Sequence, residues 1–449
     1  MRAPDEMLSL AQEGVKLARS LGADDAEVYV SSSEGVAINA TGPYVIPTRS
    51  QEQGVAVRVS VKGRLGQSGS HGSARVLQSV VKNALDAALR APDATRFSGF
   101  ARPTEIRAAP TSIHPALAGN DLDRVSTLAE SAAATLSAPR DVSYHGVRLE
   151  SLSHRFVVAN SNGVEAWDQH GHERLQLEAR VTRGTTERST QDVAYASTPI
   201  ETTLDVAQFA ADGVARARSA LDPQPLSGVV TEAILLPAPA AIVFSLFTPA
   251  LSGRRAAAKQ TPLAGKLGEI VASPLLTLRD NPSGPGGVRH QRVDHEGTPT
   301  RDATLVSEGR LLSFLLDHEA SARLDAPSTG HGLRAGVLGG VNVHAINIDV
   351  APGAKSLDEI IAGTERAVLV NEPLMGGYVA NDTTGDFSLV APFAFLVENG
   401  KIAHALPPLT VGGNAHRALR ELRDVSAQRR ANLSGTYPGI RIGGVSCAS

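Results

Sequence analysis

Cysteine is almost absent from this chain. Cys447 is the one thiol in 449 residues, so neither an intrachain disulfide nor a cysteine-based metal cluster is available. It lies in GGVSCAS, which reads as a mobile tail, and a tail offers a thiol no fixed base to activate it. Long apolar runs are missing too. No stretch approaches the roughly 18–20 residues a membrane span needs, and MRAPDEMLSLAQEG puts acidic residues where a signal peptide carries its apolar core. A cytoplasmic protein with no membrane partner is expected. Charge imbalance is small: 43 Lys and Arg against 46 Asp and Glu leave −3, which gives no electrostatic case for a nucleic-acid partner. Aromatics are scarce at 4%, which fits the Ala-, Val-, Gly- and Arg-rich composition and carries no functional weight. There is no Gly-x-Ser-x-Gly elbow, so an α/β-hydrolase triad is unsupported. Between Glu232 and Glu269 there is no histidine or glutamate.

What is present describes a soluble globular chain, 42% hydrophobic and 20% charged, too long for one ordinary core. Met7, Leu10, Ala11, Leu17, Ala18 and Leu21 share a helical stripe that Gly22 ends. Ala26–Val30 reads as a short strand. Val55, Val57, Val59 and Val61 alternate with Ala56, Arg58 and Ser60 in a half-buried strand, turned back at Lys62-Gly63-Arg64. Ser73 is placed to cap a helix with Leu77, Val80, Val81, Ala84, Leu85 and Ala88 on one face. Residues 1–91 are expected to form an α+β domain, and Pro92–Pro115 a connection rich in Pro, Ala and Ser. A second domain is expected over 116–222. It begins with a helix over Leu122–Leu136. A strand Arg155–Asn160, an Asn162-Gly163 turn and the return Val164–Trp167 follow. A further strand carries Leu175, Leu177, Ala179 and Val181, and a helix Val206–Ala217 closes at Asp222-Pro223.

From Gly228 the texture changes to short apolar strands between Gly and Pro turns. Those strands are Ala233–Leu236, Leu275–Leu278, Leu311–Leu316, Ile346–Val350, Ala367–Val370, Phe393–Val397 and Ile402–His404. A β-rich, barrel-like C-terminal domain over 228–449 is expected, so the whole is an α+β protein. Ser356 and Glu359 frame a capping box ahead of Ile360 and Ile361. Leu235–Pro274 reads as an apolar segment, a Gly253-Arg254-Arg255 turn and a second ordered segment. Gly376-Gly377 and Gly412-Gly413 read as turns or sites of close backbone approach, tight turns being favoured, and Ser283–Gly287 precedes no helix, which argues against a phosphate cradle. His290, His295, His318, His331 and His344 lack the i,i+4 spacing that brings imidazoles to one metal, so surface or loop positions are expected for them.

Several phrases run in order over nearly the whole chain: AEVYV and GVAVRVSVKGRLGQSGS, then LAGKLGEIVASPLLTLRDNP, DHEGTPTRDATLVSEGRLLSFLLD, STGHG, LVNEPLMGGYVANDTTGDFS and FLVENGKIAHALPPLTVGGN. In them the sequence resembles the TldD/PmbA family. That family has a TldD branch, a metallopeptidase subunit with a His-Glu-x-x-x-His helix and a further metal ligand from the C-terminal domain. Its PmbA branch, also called TldE, lacks the motif and pairs with TldD. Counted back without gaps from Gly268-Glu269, the motif window falls on Phe244, Ser245, Leu246, Phe247, Thr248 and Pro249. Phe244 and Pro249 carry no donor for zinc, and Ser245 cannot act as a carboxylate base. A slip of a residue or two restores nothing. NEPLMGG and TGDFS are likewise similar to the PmbA branch.

The resemblance implies a non-catalytic TldE/PmbA-like subunit in a heterodimer with a TldD-like metallopeptidase. No catalytic, cofactor-binding or metal-ligating residue is assigned to this chain, and zinc is expected in the partner alone. The pair would enclose a chamber in which unfolded or leader peptides are cleaved, the peptide held extended by main-chain hydrogen bonds. Whether this chain performs any chemistry itself stays open. One alternative is a stand-alone homodimeric enzyme of secondary metabolism, its site rebuilt from His290, Asp294, His295, His318 and His331. Another is a homodimer that binds peptides without cutting them.

Overall fold

The structure, a computed structural model, describes residues 3–91, 99–106, 121–197, 204–284, 287–376 and 380–448. Among them no helix is long and apolar enough to cross a membrane. Most of the Pro92–Pro115 connection, Pro285-Gly286 and Gly377 lie outside the described residues.

Six strands form the N-terminal sheet: β1 (Asp25–Thr41), β2 (Tyr44–Val61), β3 (Arg64–His71), β4 (Val142–Asn160), β5 (Glu165–Arg183) and β6 (Thr186–Ser197). They run antiparallel in the order β3-β2-β1-β4-β5-β6. β1 pairs with β4 from Glu27↔Asn160 to Thr41↔Gly146. The segments 1–91 and 116–222 therefore contribute their strands to one continuous sheet. The strands are also longer than their apolar alternation suggested. Ala26–Val30 is the start of a 17-residue β1, and Val164–Trp167 and Leu175–Val181 belong to one 19-residue β5. The added lengths are polar: Tyr44–Glu52 of β2 is exposed throughout. Backbone pairing holds such a segment, and its side chains show no buried face to read. The β2–β3 turn is where the sequence put it, with Lys62 and Gly63 at φ +52° and +76°, as a two-residue hairpin requires.

Among the described residues four helices cover one face of this sheet: α1 (Pro4–Ser20), α2 (Ala74–Arg90), α3 (Leu122–Ser137) and α4 (Val206–Ser219). The even positions of β1 face them. Val28 and Val30 bury against Met7, Leu10, Leu77 and Val81 of α1 and α2, while Val36 and Ile38 bury against Val125, Ala129 and Val214 of α3 and α4. Ser73 precedes α2 as expected, but its hydroxyl makes no capping bond.

The strands of the C-terminal half are short. They are β7 (Ala233–Leu235), β8 (Leu278–Asp280), β9 (Ala303–Ser307), β10 (Arg310–Leu311), β11 (Gly332–Arg334), β12 (Val341–Val343) and β13 (Ile348–Val350). After them come β14 (Arg366–Val370), β15 (Asp386–Ala391), β16 (Ala394–Glu398), β17 (Lys401–Leu406), β18 (Leu409–Asn414), β19 (Leu422–Asn432), β20 (Gly435–Ile442) and β21 (Ser446–Ala448). Ten strands form a mixed sheet curled as a half-barrel, in the order β10-β9-β8-β13-β20-β7-β14-β16-β17 with β19 on β20. One face buries Ala233, Leu235 and Val368 against α5 (Pro237–Phe247). The other buries Ile234, Ala367 and Phe395 against Ile360 and Ile361. Those isoleucines sit behind the expected capping box: the Ser356 hydroxyl accepts from the Glu359 amide at 3.2 Å, and the Glu359 carboxylate accepts from the Ser356 amide at 2.7 Å.

Three local expectations are corrected. Gly253-Arg254-Arg255 is not a turn but opens the short helix α6 (Gly253–Ala257). Gly412 and Gly413 lie within β18 and not in a tight turn; the close-approach alternative holds, since a Cβ on Gly413 would press on Phe387 at 3.1 Å and Val445 at 3.2 Å. Cys447 is not in a mobile tail. It sits on β21 opposite Val411, exchanges backbone hydrogen bonds with Val230, and is fully buried, which pushes its thiol up to about 12.

Candidate functional site

Two places bear on function, and the first is the end of α5. This helix starts on a proline, which fits a first turn, and then runs apolar on every side. Val243, Phe244 and Phe247 are fully buried; Phe244 stacks on Tyr437 at 5.6 Å and Phe247 tilts against His416 at 5.1 Å. Ser245 is exposed, and its hydroxyl donates back to the Ile242 carbonyl at 2.7 Å. Thr248 and Pro249 follow in a 3-10 turn and line a cavity of about 150 Å3 with Ser252, Arg255, His344 and Asp382. Arg255 and Asp382 are paired at 2.7 Å. A zinc site needs three or four nitrogen, thiolate or carboxylate donors converging on one point. Phe244 and Pro249 have no donor, and Ser245 is turned to its own helix, so these residues do not fit zinc. Among the described residues no group of three His, Cys, Asp or Glu is placed to hold a metal ion.

The second place lies between the layers. Strand alternation that sends even positions of β1 to the helices sends Glu27, Tyr29, Ser31 and Ser33 to the opposite face. C-terminal loops sit directly on that face. A Cβ on Gly69 would run into the Val337 carbonyl, and one on Gly54 into the Val337 side chain, so glycine at both positions sets the approach. Tyr29, Ala56, Phe156 and Val158 meet Val293 and Val337 in a small apolar seam. Beside it runs a buried ion network. Arg58 donates to both oxygens of Glu27 at 2.9 and 2.8 Å and to Glu296 at 2.8 Å, and Arg334 donates to Glu27 at 3.2 Å. Burial works against each charge. Even so, Glu27 and Glu296 hold Arg58 above the usual guanidinium range, and Arg58 holds Glu296 below the usual carboxylate range.

Next to this network is a cavity of about 320 Å3. Its floor is a cross-strand row, Ser33 of β1 opposite His154 of β4 opposite His170 of β5, with His172 two residues along. The Ser33 hydroxyl and His154 Nδ1 are 2.8 Å apart, and the His154 and His170 rings 5.0 Å. Arg289, His295 and Arg334 come from the C-terminal half. His295 Nδ1 accepts the Arg334 amide at 2.9 Å, so the neutral ring carries its proton on Nε2, and that nitrogen has no partner. Burial pulls His154 and His172 down to about 4 and His170 and His295 well below the usual imidazole range, with the Arg289 charge contributing to all four. Neutral imidazoles serve here as hydrogen-bond groups rather than cations. Ser33 and His154 have the spacing of a nucleophile and its base. A base held near 4 is weak at neutral pH, and no carboxylate hydrogen-bonds His154 among the described residues. The arrangement suits binding better than proton transfer.

The histidines singled out in the sequence are not gathered into one site. His290, His295 and His331 lie in loops, as expected, but they are buried, at 7%, 6% and 0% exposure, which corrects the surface position. His290 Nε2 donates to the Gly287 carbonyl at 3.1 Å. His331 contacts Thr329 at 2.8 Å and Asp280 at 3.4 Å. Asp294 accepts the amides of Glu296, Thr298 and Gly332 and so organises its own turn. His318 opens the short helix His318–Leu324, its amide bonded to Glu296 at 2.9 Å. Of that set, His295 reaches the cavity. Sequence reasoning missed His154, His170, His172 and Arg289. One signal was present: His170-Gly171-His172 inside an alternating strand puts two imidazoles on one face.

Comparisons with known proteins give a consistent picture. The profile of the PmbA/TldA metallopeptidase C-terminal domain matches residues 228–449. A metalloprotease PmbA homolog of Haemophilus influenzae is 26% identical over 442 residues, covering 95% of this chain and 93% of that protein. A metalloprotease TldD homolog of the same organism is 26% identical over 173 residues, covering 38% of this chain and 35% of the other. The crystal structure of TldE from Thermococcus kodakarensis superimposes with a TM-score of 0.86 at 25% identity, covering 100% of both chains.

Proposed function

We propose, for a chain that belongs to the TldD/PmbA family on its PmbA (TldE) branch, the role of a non-catalytic subunit that pairs with a TldD-type zinc metallopeptidase. The pair cleaves unfolded or leader peptides, and the zinc belongs to the partner. The observation that carries this reading is the packing at the end of α5. The positions a zinc-binding helix would give to two imidazoles and a carboxylate hold Phe244, Pro249 and Ser245, and Phe244 is spent on the core. The full-length likeness to PmbA and TldE, against likeness to TldD over about a third of the chain, supports a partner role rather than the catalytic one. Peptide recognition through main-chain hydrogen bonds fits low sequence selectivity.

The test is co-expression with a TldD-like chain. A stable complex with peptidase activity sensitive to EDTA is expected, and the chain alone should neither hold stoichiometric zinc nor cut unfolded peptides. Metal-dependent cleavage by the freshly purified chain alone would overturn the reading. A stand-alone enzyme with a site rebuilt from His290, Asp294, His295, His318 and His331 finds little support, because only His295 of them lines the cavity and the side chains of His290, Asp294 and His331 bond separate local partners.

A further inference from the structure

We propose that the cavity between the N-terminal sheet and the C-terminal half is a binding site for a small monoanionic carboxylate. The class includes the C-terminus of a short peptide and free organic acids. The inference does not depend on pairing with a peptidase.

The argument begins with charge. In the adjoining network Arg58 and Arg334 are matched by Glu27 and Glu296, so it is neutral in itself. Arg289 lines the same cavity and makes no hydrogen bond or ion pair among the described residues. The buried Asp280 acts on it through space, while the two Asp280 oxygens accept the amides of Ile346 and Asn347 at 2.8 and 2.9 Å, so the guanidinium fork has no carboxylate partner of its own among the described residues. At the rim Glu52 is taken by His71 at 2.9 Å. The Arg289 fork is thus a half-buried set of donors without an acceptor among the described residues, and such a set favours an anion. A monoanion brings the single charge one fork pairs with; a phosphate dianion would bring a second negative charge near Asp280.

Geometry selects the same class. A guanidinium fork matches the two oxygens of a carboxylate. The His295 Nε2–H is a further donor, on a residue only 6% exposed, and it has no acceptor among the described residues. Leu152, Val337 and Leu433 give the cavity an apolar wall for a substituent, and about 320 Å3 leaves room for more than a carboxylate alone.

The experiment is calorimetric titration and thermal shift on the full chain near neutral pH, with trialanine, trialanine amide, acetate and inorganic phosphate as probes. Trialanine is expected to bind, and its amide to bind weaker by about tenfold or more, the loss of a charge-assisted pair. Arg289→Gln should weaken trialanine by a similar factor. Acetate binding as tightly as trialanine would assign the site to free small acids; trialanine binding well above acetate would assign it to peptide termini. Ligand-free Arg289→Gln should keep the parent's fold, since the guanidinium makes no hydrogen bond among the described residues. If that variant fails to fold, Arg289→Lys keeps the charge and loses the fork, and the acid–amide comparison needs no variant. The proposal is overturned if no carboxylate binds at about 10 mM, if phosphate binds more tightly than the carboxylates, or if Arg289→Gln leaves binding unchanged.

Discussion

The end of α5 and the interlayer cavity are both largely withdrawn from water, and they use that withdrawal in opposite ways. Along α5 the buried groups are hydrocarbon, and each finds close neighbours, as Phe244 does on Tyr437. In the cavity the buried groups are polar, and some lack partners, as His295 Nε2 does. Burial alone therefore says nothing about a site. A buried donor left without an acceptor does, because desolvating it is costly and a ligand can offset the cost. The family resemblance directs attention to α5, whereas the physical chemistry of this chain directs it to the cavity.

Measurements can break or sharpen that contrast. The largest effect is expected for Arg58→Met, which leaves Glu27 and Glu296 buried without their shared cation. Urea unfolding should register a loss toward the upper end of about 3–5 kcal/mol, and a loss below about 1 kcal/mol would mean that water already reaches the network. Phe244→Ala should cost about 3–5 kcal/mol through the cavity it opens. Because Cys447 belongs to the same core, its thiol, inert in the native parent, should also label faster with a thiol reagent in that variant. Activity per folded complex with a TldD-like chain should not change, since a packing residue takes no part in the chemistry.

The pH dependence separates the two regions further. His154 and His172 titrate near 4 when folded and near 6.5 when unfolded, so between these values the unfolded chain binds more protons. Stability is therefore lost as pH falls from about 6.5 toward about 4, by up to about 3 kcal/mol per imidazole. His154→Phe with His172→Phe should flatten that acid limb in urea midpoints measured against pH, whereas Phe244→Ala should leave its slope alone. Glu372 acts in the other direction. Burial raises it to about 7 although it accepts from Thr190 and the Gln191 amide, so the stability it costs appears as pH rises from about 4.5 through 7. The smallest effect is a control remote from both places: Ser356→Ala should remove the capping box at a cost of about 1 kcal/mol.

The parts legible in the sequence are those governed by neighbours along the chain. The stripe of α1 and α2, the Lys62-Gly63 turn, the Asn162-Gly163 turn and the Ser356–Glu359 box all depend on a few adjacent residues. The polar halves of β1 and β2 were hidden because pairing rather than burial holds them, and the join of two segments into one sheet was hidden because β1 meets β4 across more than a hundred residues. Gly412-Gly413 looked like a turn because sequence cannot tell a glycine needed for curvature from one needed to make room for Phe387. The candidate site was the least legible part. His154, His170, Arg289 and His295 come from two strands and the connection between β8 and β9, and no local pattern links the strands to that connection.

By itself the sequence determined the alternation of helices and strands, the family, and the lack of zinc donors between Phe244 and Pro249, since each of these is a property of residue identity in order. Tertiary structure alone decided that the N-terminal strands make one sheet, that His290, His295, His331 and Cys447 are buried, and that an arginine with no hydrogen-bond partner among the described residues shares a cavity with a row of neutral imidazoles. Those are matters of which distant groups are brought together away from water, and desolvation then fixes their charge and their need for a ligand.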